Sequence, residues 1–310
     1  MKYFIVFLFS AVSFFSNTYA QGAADFYIAN VKGNVSLKCN NSWKKIYPNG
    51  ILRADDHISI GSNSFINLYD RKNKKYFVIH GVRSFIIRSL IENDIETSSP
   101  VNNVLIKAFE KLANAFNSFA DNRSLNEIFR SKVPGDDLIA IMPKNTKAAK
   151  DTIQFEWLYD EKIKSVNLLI LDENLNPQLD TIITGNNFFW TSEKMESGKE
   201  YIWQLSSKGI GKKIINYFSI ANDEEMGRIK NSMDSLDLVF PFKEMPNYHL
   251  LSGMIYEDEG FNSAAYESYK TALTLSDDKK EYGKILDQFF SRQKINLKYN
   301  DVLSLSENKK

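Results

Sequence analysis

The period of the hydrophobic pattern changes along this chain, and that change limits the folds open to it. Hydrophobic residues alternate with polar ones in two stretches, for example at Ile58 and Ile60 around Ser59. Strict alternation puts one face of a β-strand on a core and the other face in water. Two other stretches repeat their hydrophobic residues at the spacing of an α-helix. The pattern therefore predicts a multidomain protein that is mainly β, with two helical regions.

Turn residues mark where these patterns begin and end. Gly and Asn, which adopt the positive φ of tight turns, separate the short strands of the first stretch, as in Gly61-Ser62-Asn63. The predicted regions are an N-terminal segment (1–20), a small all-β domain (24–97), a helical insert or linker (98–137), a β-sandwich (138–221), a helical unit (222–300) and a polar tail (301–310).

The first twenty residues have the layout of a secretory signal peptide. Lys2 precedes an apolar run from Tyr3 to Phe15, and Thr18-Tyr19-Ala20 offers a small-residue cleavage site. The run is short for a membrane span, so an N-terminal anchor helix is only the alternative, and we expect no transmembrane span elsewhere. The sequence predicts an exported protein, periplasmic or cell-surface associated, that is cleaved near Ala20.

Charge and cysteine content restrict the partners and cross-links that we expect. Without Lys2 the chain carries 38 basic and 38 acidic residues. This balance gives no electrostatic reason to expect nucleic acid or an anionic membrane as partner.

Cys39 is the only cysteine, so the chain has no internal disulfide. Its place on the alternating face of Val35 and Leu37 predicts a buried strand residue.

Glycines and alternating hydrophobic residues recur in a fixed order in the first β region. The order is Val31-x-Gly33-x-Val35, Trp43, Gly50-x-Leu52-x-x-x-Asp56-x-Ile58-x-Ile60-Gly61 and Ser64-x-Ile66-x-Leu68-x-Asp70. Over residues 26–90 it resembles the FecR-type β domain of bacterial envelope proteins. The resemblance implies a fold and an envelope location. The iron-signalling members are similar to membrane-spanning anti-sigma regulators, whereas this chain has a cleavable leader, so that role is not implied.

Residues 98–137 carry helical signals between the two β regions. Ser99 before Pro100 is typical of a helix start, and the capping box Ser124-x-x-Glu127 predicts a second, short helix. An apolar stripe at helical spacing favours packing on a core over lying on a membrane. The stripe consists of Val101, Leu105, Ala108, Leu112, Ala115 and Phe119.

Residues 138–221 return to strand patterning and contain three of the four tryptophans. The segments Phe155-Glu156-Trp157 and Tyr201-Ile202-Trp203 resemble immunoglobulin-like or fibronectin III-like modules of exported bacterial proteins. The resemblance implies a β-sandwich. Alternation with other core positions favours a core role for Trp157 and Trp203, and stacking on sugar rings is the alternative.

Residues 222–300 switch to helices, which begin at a cap-like Asn222-x-x-Glu225. Six residues there fall at the spacing of a tetratricopeptide (TPR) repeat, although His249 replaces the usual first-helix aromatic and Asp277 the closing proline. In such a repeat, small residues let two antiparallel helices approach, aromatic residues fill the space between them and a glycine makes the turn. The six packing residues are Gly253, Tyr256, Gly260, Ala265, Tyr269 and Ala272.

No combination of residues predicts catalysis. His57, His80 and His249 are isolated, without a second ligand at metal-binding spacing. The pairs Asp55-Asp56 and Asp136-Asp137 are predicted turn or cap residues, because calcium needs six or more oxygen ligands. The sequence has no nucleophile elbow and no phosphate-binding loop. We expect no catalytic residue, no metal site and no cofactor.

These observations favour a non-enzymatic envelope protein that binds a protein partner, or scaffolds an assembly, through its TPR-like unit. The partner would be an envelope protein or peptide segment. Glycan or cell-wall binding through the β modules is the alternative, and it depends on Trp43, Trp157, Trp190 and Trp203. No nucleic acid is expected.

The first helix of a TPR pair lines a concave groove, so this helix supplies the candidate binding residues. Tyr248, Leu251 and Ile255 would face the core. The opposite side combines apolar with acidic residues and would prefer an apolar segment with basic residues. The groove candidates are Asn247, Leu250, Met254, Glu257 and Asp258. The alternative is that neighbouring helices or the sandwich cover this side, since one repeat cannot bury its own faces.

Overall fold

The computed structural model describes residues 26–92, 102–121, 138–159, 163–208, 210–240 and 242–307. Over these residues the chain forms two β units and one group of α-helices. The predicted signal peptide, the Ser99-Pro100 helix start and the Ser124-x-x-Glu127 capping box lie outside the described residues.

The first β unit has eight strands and one short helix. They are β1 (Phe26–Lys32), β2 (Val35–Cys39), β3 (Ser42–Lys45), β4 (Ile51–Leu52), β5 (His57–Ile60), β6 (Phe65–Asp70), β7 (Lys75–His80), β8 (Arg83–Ile86) and α1 (Arg88–Glu92). The strands form two antiparallel sheets of four, in the orders β4-β1-β6-β7 and β3-β2-β5-β8. Ile28, Ile58 and Leu68 are buried between the sheets, as alternation predicts. Cys39 differs from the prediction, since it is only half-buried at the end of β2.

The second β unit is a sandwich with its own core. Its strands are β9 (Leu138–Met142), β10 (Thr146–Ala148), β11 (Ile153–Tyr159), β12 (Val166–Asp172), β13 (Pro177–Ile183), β14 (Asn187–Trp190), β15 (Glu200–Ser207) and β16 (Ile210–Ile220). A five-stranded sheet, β10-β16-β15-β12-β13, packs on a three-stranded sheet, β14-β11-β9. Trp157 and Trp203 are fully buried between them, and Trp203 Nε1 donates to the Pro143 carbonyl at 2.6 Å. The predicted β-sandwich is present.

The helices are α2 (Asn103–Asp121), α3 (Asp223–Val239), α4 (Pro246–Asp258), α5 (Asn262–Leu275), α6 (Lys279–Arg292) and α7 (Tyr299–Glu307). The capping box predicted at the start of α3 is confirmed, with Glu225 N donating to Asn222 Oδ1 at 2.9 Å and Asn222 N donating to Glu225 Oε2 at 3.0 Å. At the start of α2, the side chain of Asn102 accepts a hydrogen bond from Leu105 N.

Helix α2 is part of the helical core, so it is more than a linker between the β units. It packs against α3, α4 and α6. Its Phe109 ring also stacks on Tyr69 of the first β unit, with a centroid distance of 4.8 Å, and lies 5.2 Å from the ring of Tyr76. One continuous core therefore joins the β4-β1-β6-β7 sheet, α2 and the C-terminal helices.

Ion pairs add to the contact between α2 and the first β unit. Glu110 of α2 accepts from Arg71 at 3.0 Å and from Lys74 at 2.6 Å, both in the turn between β6 and β7. Burial by itself would raise the pKa of the Glu110 carboxyl, but the hydrogen bonds from Lys74 and Arg71 outweigh burial and lower it. The Glu110 carboxylate is therefore stabilised in its charged form.

The sandwich contacts the helices at the turn between α4 and α5. Gly260 in this turn accepts a backbone hydrogen bond from Lys147 N at 2.9 Å, and Asn262 Nδ2 donates to the Asn145 carbonyl at 2.8 Å. Lys147 Nζ also pairs with Glu225 at 2.8 Å. Residues 145–147 of the sandwich therefore hold this turn and also contact α3.

Candidate functional site

The groove face predicted on α4 is covered. Leu250 is fully buried, and Asn247 and Met254 are almost completely buried. The reason is that α2, α3 and α5 pack against different sides of α4, so the helix is buried around most of its circumference. The prediction of an exposed groove at these three residues is wrong, and the alternative in which neighbouring helices cover this face is observed.

The acidic groove candidates, Glu257 and Asp258, are paired within the chain. Arg292 of α6 holds Glu257 with two contacts, Nε to Oε1 at 2.6 Å and Nη2 to Oε2 at 2.9 Å. The Tyr269 hydroxyl donates to the same carboxylate at 2.8 Å. Asp258 forms an ion pair with Lys111 of α2. These carboxylates link α4 to its neighbours, so the expected negative charge of a groove is already compensated.

Gly253 and Tyr269 are in direct contact, as their spacing predicts. A Cβ atom at Gly253 would lie 2.5 Å from Tyr269 Cε1, which is far inside van der Waals contact. Only glycine therefore lets α4 and α5 approach this closely. Gly260 has a φ of +83° in the connecting turn. The other packing candidates are buried or half-buried in the same helical core: Tyr256, Ala265 and Ala272.

A cleft of about 1750 Å³ lies between the first β unit and the N-terminal ends of α4 and α6. One wall consists of β1 and the connection between β3 and β4. The other wall consists of residues at the end of α5 and along α6 as far as Ser291, with Met245 and Pro246 at the start of α4. Asn247, a groove candidate, lines this cleft.

Tyrosine and asparagine side chains form a hydrogen-bond network at the inner end of the cleft. Tyr27 OH donates to Asn49 Oδ1 at 2.5 Å, and Asn247 Nδ2 donates to the same atom at 2.8 Å. Asn247 Nδ2 also donates to the Ala29 carbonyl at 2.6 Å. Tyr282 OH donates to Asn247 Oδ1 at 2.5 Å. The network joins β1, the β3–β4 connection, α4 and α6, and therefore fixes the two walls relative to each other.

Burial keeps the hydroxyls of this network protonated. It raises the pKa of Tyr282 to about 12 and the pKa of Tyr27 well above its ordinary value. A phenolate at Tyr282 would face Asn247 Oδ1, which can only accept hydrogen bonds. The network therefore requires the neutral form of Tyr282.

The stabilising effect of Tyr282 should consequently disappear at alkaline pH. A group whose pKa is higher in the folded state than in the unfolded state stabilises the fold below the unfolded pKa, and loses this effect as pH rises through the folded pKa. We expect the difference in unfolding free energy between wild type and Tyr282→Phe to shrink by about 2 kcal/mol as pH rises through the interval between the two pKa values. Urea unfolding of both proteins at a series of pH values measures this difference, and a constant difference would contradict the network.

The rim of the cleft carries balanced charge. Two of its ion pairs involve α6: Lys284 contacts Glu281 at 3.9 Å within the helix, and Lys298, which precedes α7, contacts Asp287 at 3.7 Å. The other charged lining residues are Asp277, Asp278, Lys45 and Lys280. A bound segment would therefore meet both signs of charge, and the rim does not favour a strongly acidic or strongly basic one.

The tryptophans divide into core and surface residues. Trp157, Trp190 and Trp203 are buried in the sandwich. Trp43 is 48% exposed on β3. Of the four tryptophans on which the alternative of glycan binding depends, three therefore lie in the core and only Trp43 is accessible.

The remaining sequence candidates for chemistry stay apart. Within the described residues, no three His, Cys, Asp or Glu side chains converge as a metal site would require. His57 Nε2 lies 2.9 Å from Ser84 Oγ, a contact on an exposed strand face that no local sequence pattern indicates. Burial lowers the pKa of His249, which packs against Tyr248 with a ring distance of 5.3 Å.

Comparisons with known proteins identify no family for this chain. No protein-family model matches this chain, and no curated protein matches it. Among solved structures, the fibronectin III-like modules of Clostridium thermocellum CbhA are similar at 11% identity and a TM-score of 0.20. The match covers 27% of this chain and 99% of that one, and at this score it supports no argument. In the part of the chain that is described, no helix is long and apolar enough to cross a membrane.

Proposed function

We propose that this protein is a non-enzymatic binding protein of the cell envelope that holds an extended segment of a protein partner in the cleft. The volume of the cleft carries the proposal. Small-molecule sites typically enclose about 300–1,000 Å³, whereas this cleft has about 1750 Å³. Its lining comes from two separate parts of the chain, so a bound segment would contact both walls.

The lining of the cleft supports a polypeptide occupant. Val31, Tyr47 and Leu275 offer accessible apolar surface, and the half-buried Asn49 contributes an amide group. Polar groups that are fixed beside apolar surface set the orientation of a bound ligand. Because the charges of the rim are balanced, the bound segment needs no particular net charge.

The finer identities of the structural units belong to the same proposal. The two packed four-stranded sheets support a FecR-like domain, and the α4–α5 hairpin with its Gly253–Tyr269 contact supports a TPR-like pair. In this proposal, the ends of the TPR-like pair line one wall of the cleft together with α6, and the pair presents no groove of its own. The apolar segment from Tyr3 to Phe15 supports export.

Peptide selection followed by variants at the rim tests the cleft. Random peptides displayed on phage are selected on the folded protein, and an enriched peptide is synthesised for titration. Leu275 is 43% exposed on the helical wall. We expect Leu275→Arg to weaken binding by about tenfold or more, because it replaces apolar contact surface with a charge that the peptide must desolvate.

The matched control is Leu238→Arg on α3, where the side chain is 76% exposed and away from the cleft lining. This variant should bind the peptide with the affinity of wild type. Equal affinity of both variants would show that the peptide binds elsewhere. Failure to enrich any peptide would also contradict the proposal.

A further inference from the structure

The outer face of the β3-β2-β5-β8 sheet combines an exposed aromatic ring with hydroxyls and lysines. The register pairs Lys45 with Ser36, Ser36 with Ser59, and Ser59 with Ser84 across the four strands. Residues of one strand that are two apart share a face. A second row on the same face is therefore Trp43, Lys38, His57 and Ile86. We call these eight residues the outer-sheet face.

Burial confirms that these side chains point away from the core. Val35, Ile58 and Ile60, which alternate with them, are fully or almost fully buried between the two sheets. Residues of the outer-sheet face are exposed or half-buried. The face is thus an accessible surface four strands wide.

Trp43 is positioned at this surface by its neighbour. Its ring centroid lies 5.4 Å from that of His57, with the planes at 68°. His57 is in turn held by the hydroxyl of Ser84 at 2.9 Å. An edge contact of this kind fixes the orientation of the indole and leaves ring surface available for stacking.

The charge of the face has one sign. Its two rows contain Lys38 and Lys45 and no carboxylate. Lysines on a surface without acidic neighbours attract anionic groups, and the attraction weakens as salt increases. The serine row adds hydroxyls, which both donate and accept hydrogen bonds.

We propose that the outer-sheet face binds an acidic polysaccharide chain. The Trp43 ring stacks on the apolar face of one sugar ring, the serine row bonds to sugar hydroxyls, and Lys38 and Lys45 meet the carboxylates. Single-stranded nucleic acid is a poorer fit, because its binding sites stack successive bases on several aromatic side chains, whereas Trp43 is the one large aromatic side chain in these rows and His57 packs against it. This proposal is independent of partner binding in the cleft.

Calorimetric titration with oligogalacturonate, a carboxylated sugar chain, tests the proposal. We expect binding that weakens as salt is raised, and no binding of neutral cello-oligosaccharide of the same length. Trp43→Ala should weaken binding by about tenfold or more and Trp43→Phe should retain most of it, because stacking needs only the ring. Lys38→Glu should also weaken it, because it reverses a charge that meets the carboxylates. Lys38 is preferred to Lys45 for this test because Lys45 also lines the cleft.

Two exposed residues elsewhere provide matched controls. Tyr217→Ala removes an aromatic ring that is 51% exposed on the sandwich, and Lys164→Glu reverses a charge at an exposed site. Both should bind the oligosaccharide as wild type does, and Leu275→Arg in the cleft should too. Absence of binding, equal binding of the neutral oligosaccharide, or equal or tighter binding of oligothymidylate would each overturn the proposal.

Discussion

Leu250→Asp is expected to unfold the helical group. Leu250 is fully buried in α4, where α2, α3 and α5 surround it. Truncating a buried leucine costs about 2–5 kcal/mol, and burying a carboxyl group without a partner adds to that cost. A loss of about 5 kcal/mol or more is comparable with the whole stability of a typical domain. Far-ultraviolet circular dichroism should show loss of helix at room temperature or a greatly lowered urea midpoint.

Leu238→Asp is the matched control for this substitution. The same chemical change at an exposed position on α3 should cost only about 1 kcal/mol, from the lower helix propensity of Asp and its place near the negative end of the helix dipole. If Leu250→Asp instead had the same urea midpoint as Leu238→Asp, Leu250 would lie on an open face of α4, and the hypothesis of a binding groove on α4 would be restored.

Gly253→Leu should destabilise the protein by about 3 kcal/mol or more, because overpacking distorts a dense core. The Tyr269 ring cannot move aside easily. It is almost fully buried, its centroid lies 5.4 Å from that of Phe289, and its hydroxyl donates to Glu257. The added side chain would therefore separate α4 from α5 or disrupt the contact with Glu257. The urea midpoint measures this loss.

Gly227→Leu tests the same replacement where there is room for it. A Cβ atom at Gly227 in α3 would meet no heavy atom within 4 Å. This variant should gain about 0.5–1 kcal/mol of unfolding free energy from helix propensity. The two replacements should therefore change the stability of the protein in opposite directions. A stabilised Gly253→Leu variant would mean that α4 and α5 are not in close contact.

Local sequence patterns predict the elements well, because each pattern acts over a few residues. Alternation at Ile58 and Ile60 predicts which face of β5 is buried, and both residues are core. The Asn222–Glu225 capping box marks the first residue of α3. The spacing of Gly253 and Tyr269 predicts the contact between two helices, because both residues belong to one hairpin.

The burial of the outer face of α4 could not be predicted from residue spacing within the α4–α5 hairpin. A TPR-like pair alone leaves Leu250 and Met254 exposed, and α2, which covers part of α4, comes more than a hundred residues earlier in the sequence. One local signal was available. The segment Leu250-Leu251-Ser252-Gly253-Met254-Ile255 is apolar on all sides of a helix, and a helix with that pattern is normally buried all round.

The cleft depends on contacts that no local pattern contains. Asn49 and Asn247 are 198 positions apart, and Asn49 and Tyr282 are 233 apart. Each residue alone is an ordinary turn or helix residue. These residues come into contact because α2 and the C-terminal helices pack on the first sheet, and no local sequence pattern encodes that tertiary packing.

Photo-crosslinking of a selected peptide tests the cleft as binding site most directly. A series of synthetic peptides carries a benzophenone side chain, each peptide at a different position. Mass spectrometry identifies the protein residues that each peptide labels. Binding in the cleft predicts labels on both walls, in the connection around Tyr47 to Leu52 and in the segment from Leu275 to Lys284. Labels confined to the sandwich, or to the exposed side of α3 around Leu238, would contradict binding in the cleft.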